Sequence, residues 1–366
     1  MKKSLLLAAA LVALGANAQT LTQNWKTTAN TSLSTNEVRQ GVGMNGKIYI
    51  NNKSDQKVYV VDANGIANET LPGGANVGIT TDQAGNLVVM NSVFPNTWKS
   101  DTAVIKVYNP QTPASVTELS ITSDLAAMGR VDYVGKAMGN LATDGVLLLE
   151  GGASTGISKL VVADGETNGD DSFVAICEGL SYNNNYTVIN AFKEGEDVKY
   201  LYVTRNAAPA IIVEDGDNYK VEASLTLPNK GANNGAEIFV MGGKTYVVYP
   251  TLPNYTDGFA IAELTKDENG AITATAVATV DPEFNANPNA IQANWLNAEV
   301  VSDTKAIIYQ YVPGAYCKSF TFGQEQTGIN DVNAVKDVKV RKVYENGQVY
   351  IIKGDVKYNV MGAQVK

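Results

Sequence analysis

The stretch Gly46–Gly65, GKIYINNKSDQKVYVVDANG, holds two short strands, Lys47–Asn51 and Lys57–Asp62, each alternating apolar with polar residues and each closed by turn formers. Comparable apolar segments return at Asn86–Met90, Gly145–Leu149, Lys199–Val203, Lys244–Tyr249 and Lys305–Tyr311. Their starts lie about 40 to about 60 residues apart, a spacing that suits four-stranded repeats carrying loop insertions. Val, Ile, Leu and Tyr occupy both parities of these segments, as in strands covered on both faces. Such strands bury both faces only when their sheets are stacked one against the next.

Taken in order, residues 19–323 divide into six groups of strands A to D, which predicts an all-β fold, a six-bladed β-propeller. The first blade runs Val38–Gly43, Lys47–Asn51, Lys57–Asp62 and Ile66–Leu71. In the third, strand A is placed at Met128–Val134 and strand D at Ser172–Cys177. The sixth has only Trp295–Val301, Ala306–Tyr311 and Ala315–Phe322, so Thr20–Thr28 is expected to supply its missing outer strand and close the ring. Tandem sandwiches would show linkers near every 100 or so residues, and a β-helix a shorter, stricter period.

The chain has no histidine, which removes Ser-His-Asp and Cys-His catalysis and His-based metal sites together. Carboxylate, Tyr or Lys chemistry stays open, so enzyme activity is left undecided, leaning against. A formal charge of −9 argues against nucleic acid as a partner, because phosphate binding needs clustered Lys and Arg. No cofactor and no metal site are expected. The acidic runs Asp164–Asp171 and Asp215-Gly-Asp217 lack the register of a calcium loop and read as solvated hairpins.

Residues 1–18 read as a signal peptide: Lys2 and Lys3, an apolar run Leu5–Leu14, then the small-x-small site Ala16-Asn17-Ala18. The apolar run is too short to span a bilayer, so no membrane insertion is expected after its removal, and the protein is expected outside the cytoplasm, secreted or at the cell surface. After a linker at 324–337, residues 338–366 form a short β-hairpin tail with turns at Glu345-Asn-Gly347 and Gly354-Asp355. Gly328-Ile329, the strand Gln348–Lys353, Tyr358-Asn-Val-Met-Gly362 and the closing Val365-Lys366 resemble the C-terminal sorting domains of proteins exported by the type IX secretion system. The resemblance covers about a tenth of the chain, is shorter than a complete sorting domain, and implies that secretion machinery is a partner through the tail.

Ligand-binding candidates fall on the loops between strands B and C and between D and A. Aromatic Trp98, Tyr255 and Trp295 sit on or beside long polar loops, suited to stacking on sugars or apolar peptide side chains, or to packing over their own loops. Arg130 and Arg205 lie near the proposed axis and can grip a carboxylate bidentately. Asn76, Asn233 and Asn234 occur in the echoed stretches Leu71–Gly78 and Leu227–Gly235, where the Gly and Asn content has either a turn role or a pocket role. Cys177 and Cys317, assigned to blades three and six, are expected as separate buried thiols. These features predict a binding or scaffold protein that recognises a glycan or peptide. The alternative is a carboxylate-based glycan hydrolase or lyase using Arg130, Arg205 and Glu150 or Asp132. Sialidases place an arginine cluster on a six-bladed propeller, but the Asp-box pattern S-x-D-x-G-x-T-W is missing here.

Overall fold

The computed structural model describes residues 19–28, 37–91, 103–121, 131–151, 156–167, 177–180, 186–205, 207–232, 235–283, 294–324, 340–345, 348–353, 356–359 and 364–365. They fall into two compact units, Gln19–Gln324 and the strands beyond residue 339, and each is described by itself. Among the described residues there is no helix.

In the larger unit β1 (Gln19–Thr28) comes first. The first sheet then holds β2 (Gly41–Met44), β3 (Lys47–Asn52) and β4 (Lys57–Asp62), with β5 (Gly65–Ile66) and β6 (Leu71–Pro72) both on β4. The second is β7 (Ile79–Thr81), β8 (Leu87–Met90), β9 (Ala103–Tyr108) and β10 (Thr117–Ile121). The third is β11 (Met138–Asn140), β12 (Asp144–Leu149), β13 (Ser158–Ala163) and β14 (Glu166–Thr167). The fourth contains β15 (Cys177–Glu178), β16 (Val188–Glu194), β17 (Asp197–Val203), β18 (Ala210–Asp215) and β19 (Asn218–Ser224). The fifth is β20 (Glu237–Met241), β21 (Lys244–Pro250), β22 (Phe259–Lys266) and β23 (Ile272–Val280). In the sixth, β24 (Trp295–Ser302), β25 (Lys305–Val312) and β26 (Tyr316–Gln324) are completed by β1. That pairing is antiparallel, from Gln19 opposite Gln324 to Thr28 opposite Tyr316, as the count of strands had required.

The core lies between sheets rather than inside one. Ile50, Tyr309 and Tyr311 pack the first sheet on the sixth, and Val89, Tyr49 and Val58 pack it on the second. Val107 meets Leu147, Tyr202 meets Leu148, Leu201 meets Val247, and Ile261 meets Ile308 across the four remaining layers. The second strand of most sheets is therefore covered on both faces, as in β3, β8, β17 and β21, and each fully buried Val, Leu or Ile contributes about 1.5–3 kcal/mol.

Side-chain amides and short backbone contacts tie each sheet's first strand to the next. Gln40 donates to the Val134 carbonyl at 2.7 Å and accepts the Ile79 amide at 3.2 Å. Ala137 donates to Thr81 at 3.1 Å, and Ala191 to Lys136 at 2.9 Å. Asn190 donates to the Ala236 carbonyl at 2.8 Å, and Leu296 donates to Gly235 at 3.2 Å. Asn297 both donates to the Gly43 carbonyl and accepts the Gly43 amide, each at 2.7 Å.

Three strand expectations need correction. Val131–Val134 is buried as its apolar pattern required, but it forms no strand; Gln40 and Asn76 take its backbone groups, and pairing begins only at β11. Strand D of the third sheet is β14, because Asp164 (φ +53°) and Gly165 (φ +79°) turn the chain back at once, as both central positions of a tight hairpin demand. Cys177 consequently belongs to the fourth sheet, where β15 runs parallel to β19. The expected strand Ile66–Leu71 is split into β5 and β6, with exposed Asn68 and Glu69 between them and Pro72 unable to donate to a ladder. Cys177 and Cys317 are both buried thiols outside any disulfide, as expected.

The smaller unit is a four-stranded antiparallel meander instead of a hairpin: β27 (Val340–Glu345), β28 (Gln348–Lys353), β29 (Val356–Asn359) and β30 (Gln364–Val365). Lys357 pairs with Glu345 and lies 4.1 Å from the Tyr350 ring centre.

Candidate functional site

β17, β19 and β21 finish at one end of the fourth and fifth sheets, and the loops leaving them enclose a groove of about 420 Å³. Arg205 follows β17, Lys230 lies between β19 and β20, and Leu252 and Asn254 belong to the loop after β21. That loop is held from several sides. Leu252 donates to Asn229 at 2.8 Å, Asn254 accepts the Ala232 amide at 2.7 Å, and Thr256 donates to the Pro253 carbonyl at 2.8 Å. Tyr255 is thereby kept at φ +64°, a left-handed conformation that costs a non-glycine residue about 1–2 kcal/mol.

The result is a contact between two residues fifty positions apart. Arg205 donates from Nη2 to the Tyr255 hydroxyl at 2.8 Å, while its guanidinium carbon lies 5.9 Å from the Tyr186 ring centre. Its Nε–H is buried and meets no hydrogen-bond acceptor among the described residues. A half-buried guanidinium clamped by one phenol and flanked by another is suited to a carboxylate. Lys230 adds a second cation, and burial pushes its amine down to about 8.

Behind Tyr186 the rings continue: Tyr133 lies 6.4 Å from Tyr186 and 4.9 Å from Trp295. Burial raises the Tyr133 hydroxyl well above the ordinary phenol range, and the Asp132 charge adds to it.

Of the residues singled out in the sequence, Arg205 and Tyr255 are brought together. Trp295 is 4% exposed and packs against Tyr133, so it offers no surface to a ligand. Asn76 is likewise buried, donating to the Val131 carbonyl at 2.7 Å and accepting from Val77, so its amide does not enter a pocket. The glycines of its stretch answer close backbone approach: a Cβ on Gly74 would lie 2.1 Å from the Met90 carbonyl oxygen. Trp98, Arg130, Asn233 and Asn234 lie outside the described residues. Asp132 and Glu150 are buried carboxylates, Glu150 accepting the Tyr202 hydroxyl, and neither lines the groove. Sequence reasoning missed Tyr186 and Lys230. The signal for Lys230 was present, since LPNKGANNG places a lysine where its echo LPGGANVG has glycine.

A larger space, about 700 Å³, opens at the opposite end of these sheets, where β2, β16, β20 and β24 finish. Several of its polar groups are engaged: Asn297 with Gly43, Glu299 with the Asn45 amide and Tyr309, and Lys136 with Glu237 at 3.1 Å. The groove, which brings the Arg205 guanidinium and Lys230 together, is the stronger candidate.

These sheets define an all-β protein built from stacked antiparallel sheets. No protein-family model matches the chain, and no curated protein does. Among solved structures, it resembles a DUF4623 family protein from Bacteroides eggerthii DSM 20697, with a TM-score of 0.56 at 12% identity over 81% of this chain and 73% of that one. A weaker likeness is to the subtype N10 neuraminidase-like protein of A/little yellow-shouldered bat/Guatemala/060/2010, with a TM-score of 0.48 at 9% identity over 82% of this chain and 99% of that one. Another is to the allergen Mala s 1 of Malassezia sympodialis, with a TM-score of 0.49 at 8% identity over 84% of this chain and 98% of that one.

Proposed function

We propose that residues 19–324 form a six-bladed β-propeller, closed by β1, that binds an acidic glycan or peptide in the groove between its fourth and fifth blades. Support for the ring comes from the inner-strand ties, which run from the first sheet through the sixth and back through Asn297 to Gly43. The observation that carries the binding reading is Arg205, held by the Tyr255 hydroxyl, in a groove that also holds Lys230. Binding is favoured over hydrolysis because the acids the hydrolytic reading needs, Asp132 and Glu150, are buried away from that groove. We further infer export: residues 1–18 act as a signal peptide and the C-terminal meander acts in sorting, which makes the protein a secreted or surface-bound recognition module.

Calorimetry against oligogalacturonate, an acidic peptide and a neutral glucan tests the binding reading. An acidic ligand should bind, and Arg205→Ala should weaken it about tenfold to a hundredfold, the worth of one charged hydrogen bond. Equal binding of the neutral glucan, or indifference to Arg205→Ala, would refute it.

A further inference from the structure

Lys230 shares the groove with Arg205, and a chemical role for its amine rests on that groove binding an anion. Its backbone is fixed: Lys230 bridges Thr251, and Gly231 donates to the Pro250 carbonyl at 2.9 Å. Its Nζ donates to the Gly231 carbonyl at 2.9 Å, which holds the amine at the groove wall. The groove wall carries the alkyl side chains of Pro209, Leu225, Leu227 and Leu252 beside the polar Thr226 and Asn254. Burial holds the amine at about 8 against an ordinary 10.5. Roughly a tenth of it is then neutral at pH 7, against well under a thousandth for an exposed lysine. The neutral amine is the nucleophilic form, and a desolvated lysine is the usual partner of a carbonyl carbon.

We propose that Lys230 forms a reversible imine with a free carbonyl on the same small molecule whose carboxylate Arg205 holds, so that the groove captures oxo acids. Two sources share that chemistry, 2-oxo acids and the open-chain form of uronic acids. The Nζ lone pair adds to the carbonyl carbon, and the carbonyl oxygen takes up a proton as nitrogen gives one up, leaving a carbinolamine. Its hydroxyl then departs as water with the second nitrogen proton, and the nitrogen lone pair closes the C=N bond. No oxidant or reductant is needed. A space of about 420 Å³ accommodates a molecule of this size.

The full chain is incubated with pyruvate or D-glucuronate and sodium cyanoborohydride near neutral pH, then read by intact mass and peptide mapping. The expected result is a single reduced adduct on Lys230, absent from Lys230→Arg and Lys230→Met, and reduced about tenfold in Arg205→Ala or by excess acetate. Labelling by pyruvate alone assigns 2-oxo acids, and labelling by glucuronate alone assigns uronic acids. Adducts scattered over surface lysines, or one surviving Lys230→Arg, overturn the proposal. If acetate and methyl glucuronide bind in an Arg205-dependent way while no adduct forms, the imine is overturned and the anion-binding reading stands. If neither binding nor adduct is seen, both fail.

Discussion

Lys318 is fully buried, 3.3 Å from Glu283 and 3.8 Å from Asp257, with its ammonium 4.6 Å from the Tyr316 ring centre. Replacing it by Ala leaves the buried Asp257 charge without its ammonium and should cost about 3–5 kcal/mol of unfolding free energy in a urea titration. Glu283, exposed at the same cluster, is held below the usual carboxylate range first by the Lys26 hydrogen bond and then by Lys318; its small contribution is present above the unfolded carboxylate pKa and lost on acidification. Lys230 works the other way. Its folded pKa, about 8, lies below the unfolded 10.5, so the penalty for charging it is fully present below about pH 8 and is relieved as pH rises toward 10.5. Lys230→Met should therefore raise Tm at neutral pH, with an advantage that fades in alkaline buffer. Arg205 and Tyr255 stood out in the sequence by residue type and loop position. Tyr186 did not, because a tyrosine at the head of a strand looks like core until its neighbour Arg205 is known.

Among the elements, the second and third strands were the most legible. β4 falls at its expected ends, and β3, β8 and β21 within a residue, because alternating apolar runs between turn residues have few other uses. The first and fourth strands were harder to place. Val131–Val134 carries the pattern of a strand, but its backbone is bonded by side chains of other segments, and periodicity reports burial without naming the partner. The tie between β24 and β2 gives a direct test. A Cβ on Gly43 would lie 2.0 Å from Tyr309 Cγ on β25, so Gly43→Ala forces β2 away from the sixth sheet and should destabilise by about 1–3 kcal/mol or more. Asn297→Ala strands the Gly43 amide and carbonyl together and should cost about 2–3 kcal/mol in the same chemical denaturation, with fluorescence as readout.

For the larger unit as a whole, the partnership of β1 with β26 was the long-range feature that strand counting alone made legible, since three strands at 295–322 left one edge bare. The groove was less legible, because it forms only where the loops after β17 and β21 meet, and nothing in either loop names the other. Deleting residues 19–28 should expose the β26 edge and produce dimers or aggregates on size-exclusion chromatography. A synthetic peptide spanning Gln19–Thr28 should restore the monomer.

The same pairing sets a timetable for biosynthesis. On a ribosome, Gln19–Thr28 emerges among the first of these strands, yet its partner Tyr316–Gln324 is translated last of the six sheets. At about 5–20 residues per second the early strand waits tens of seconds with its hydrogen-bonding edge bare, a window in which a chaperone or an export channel can engage an unfinished chain.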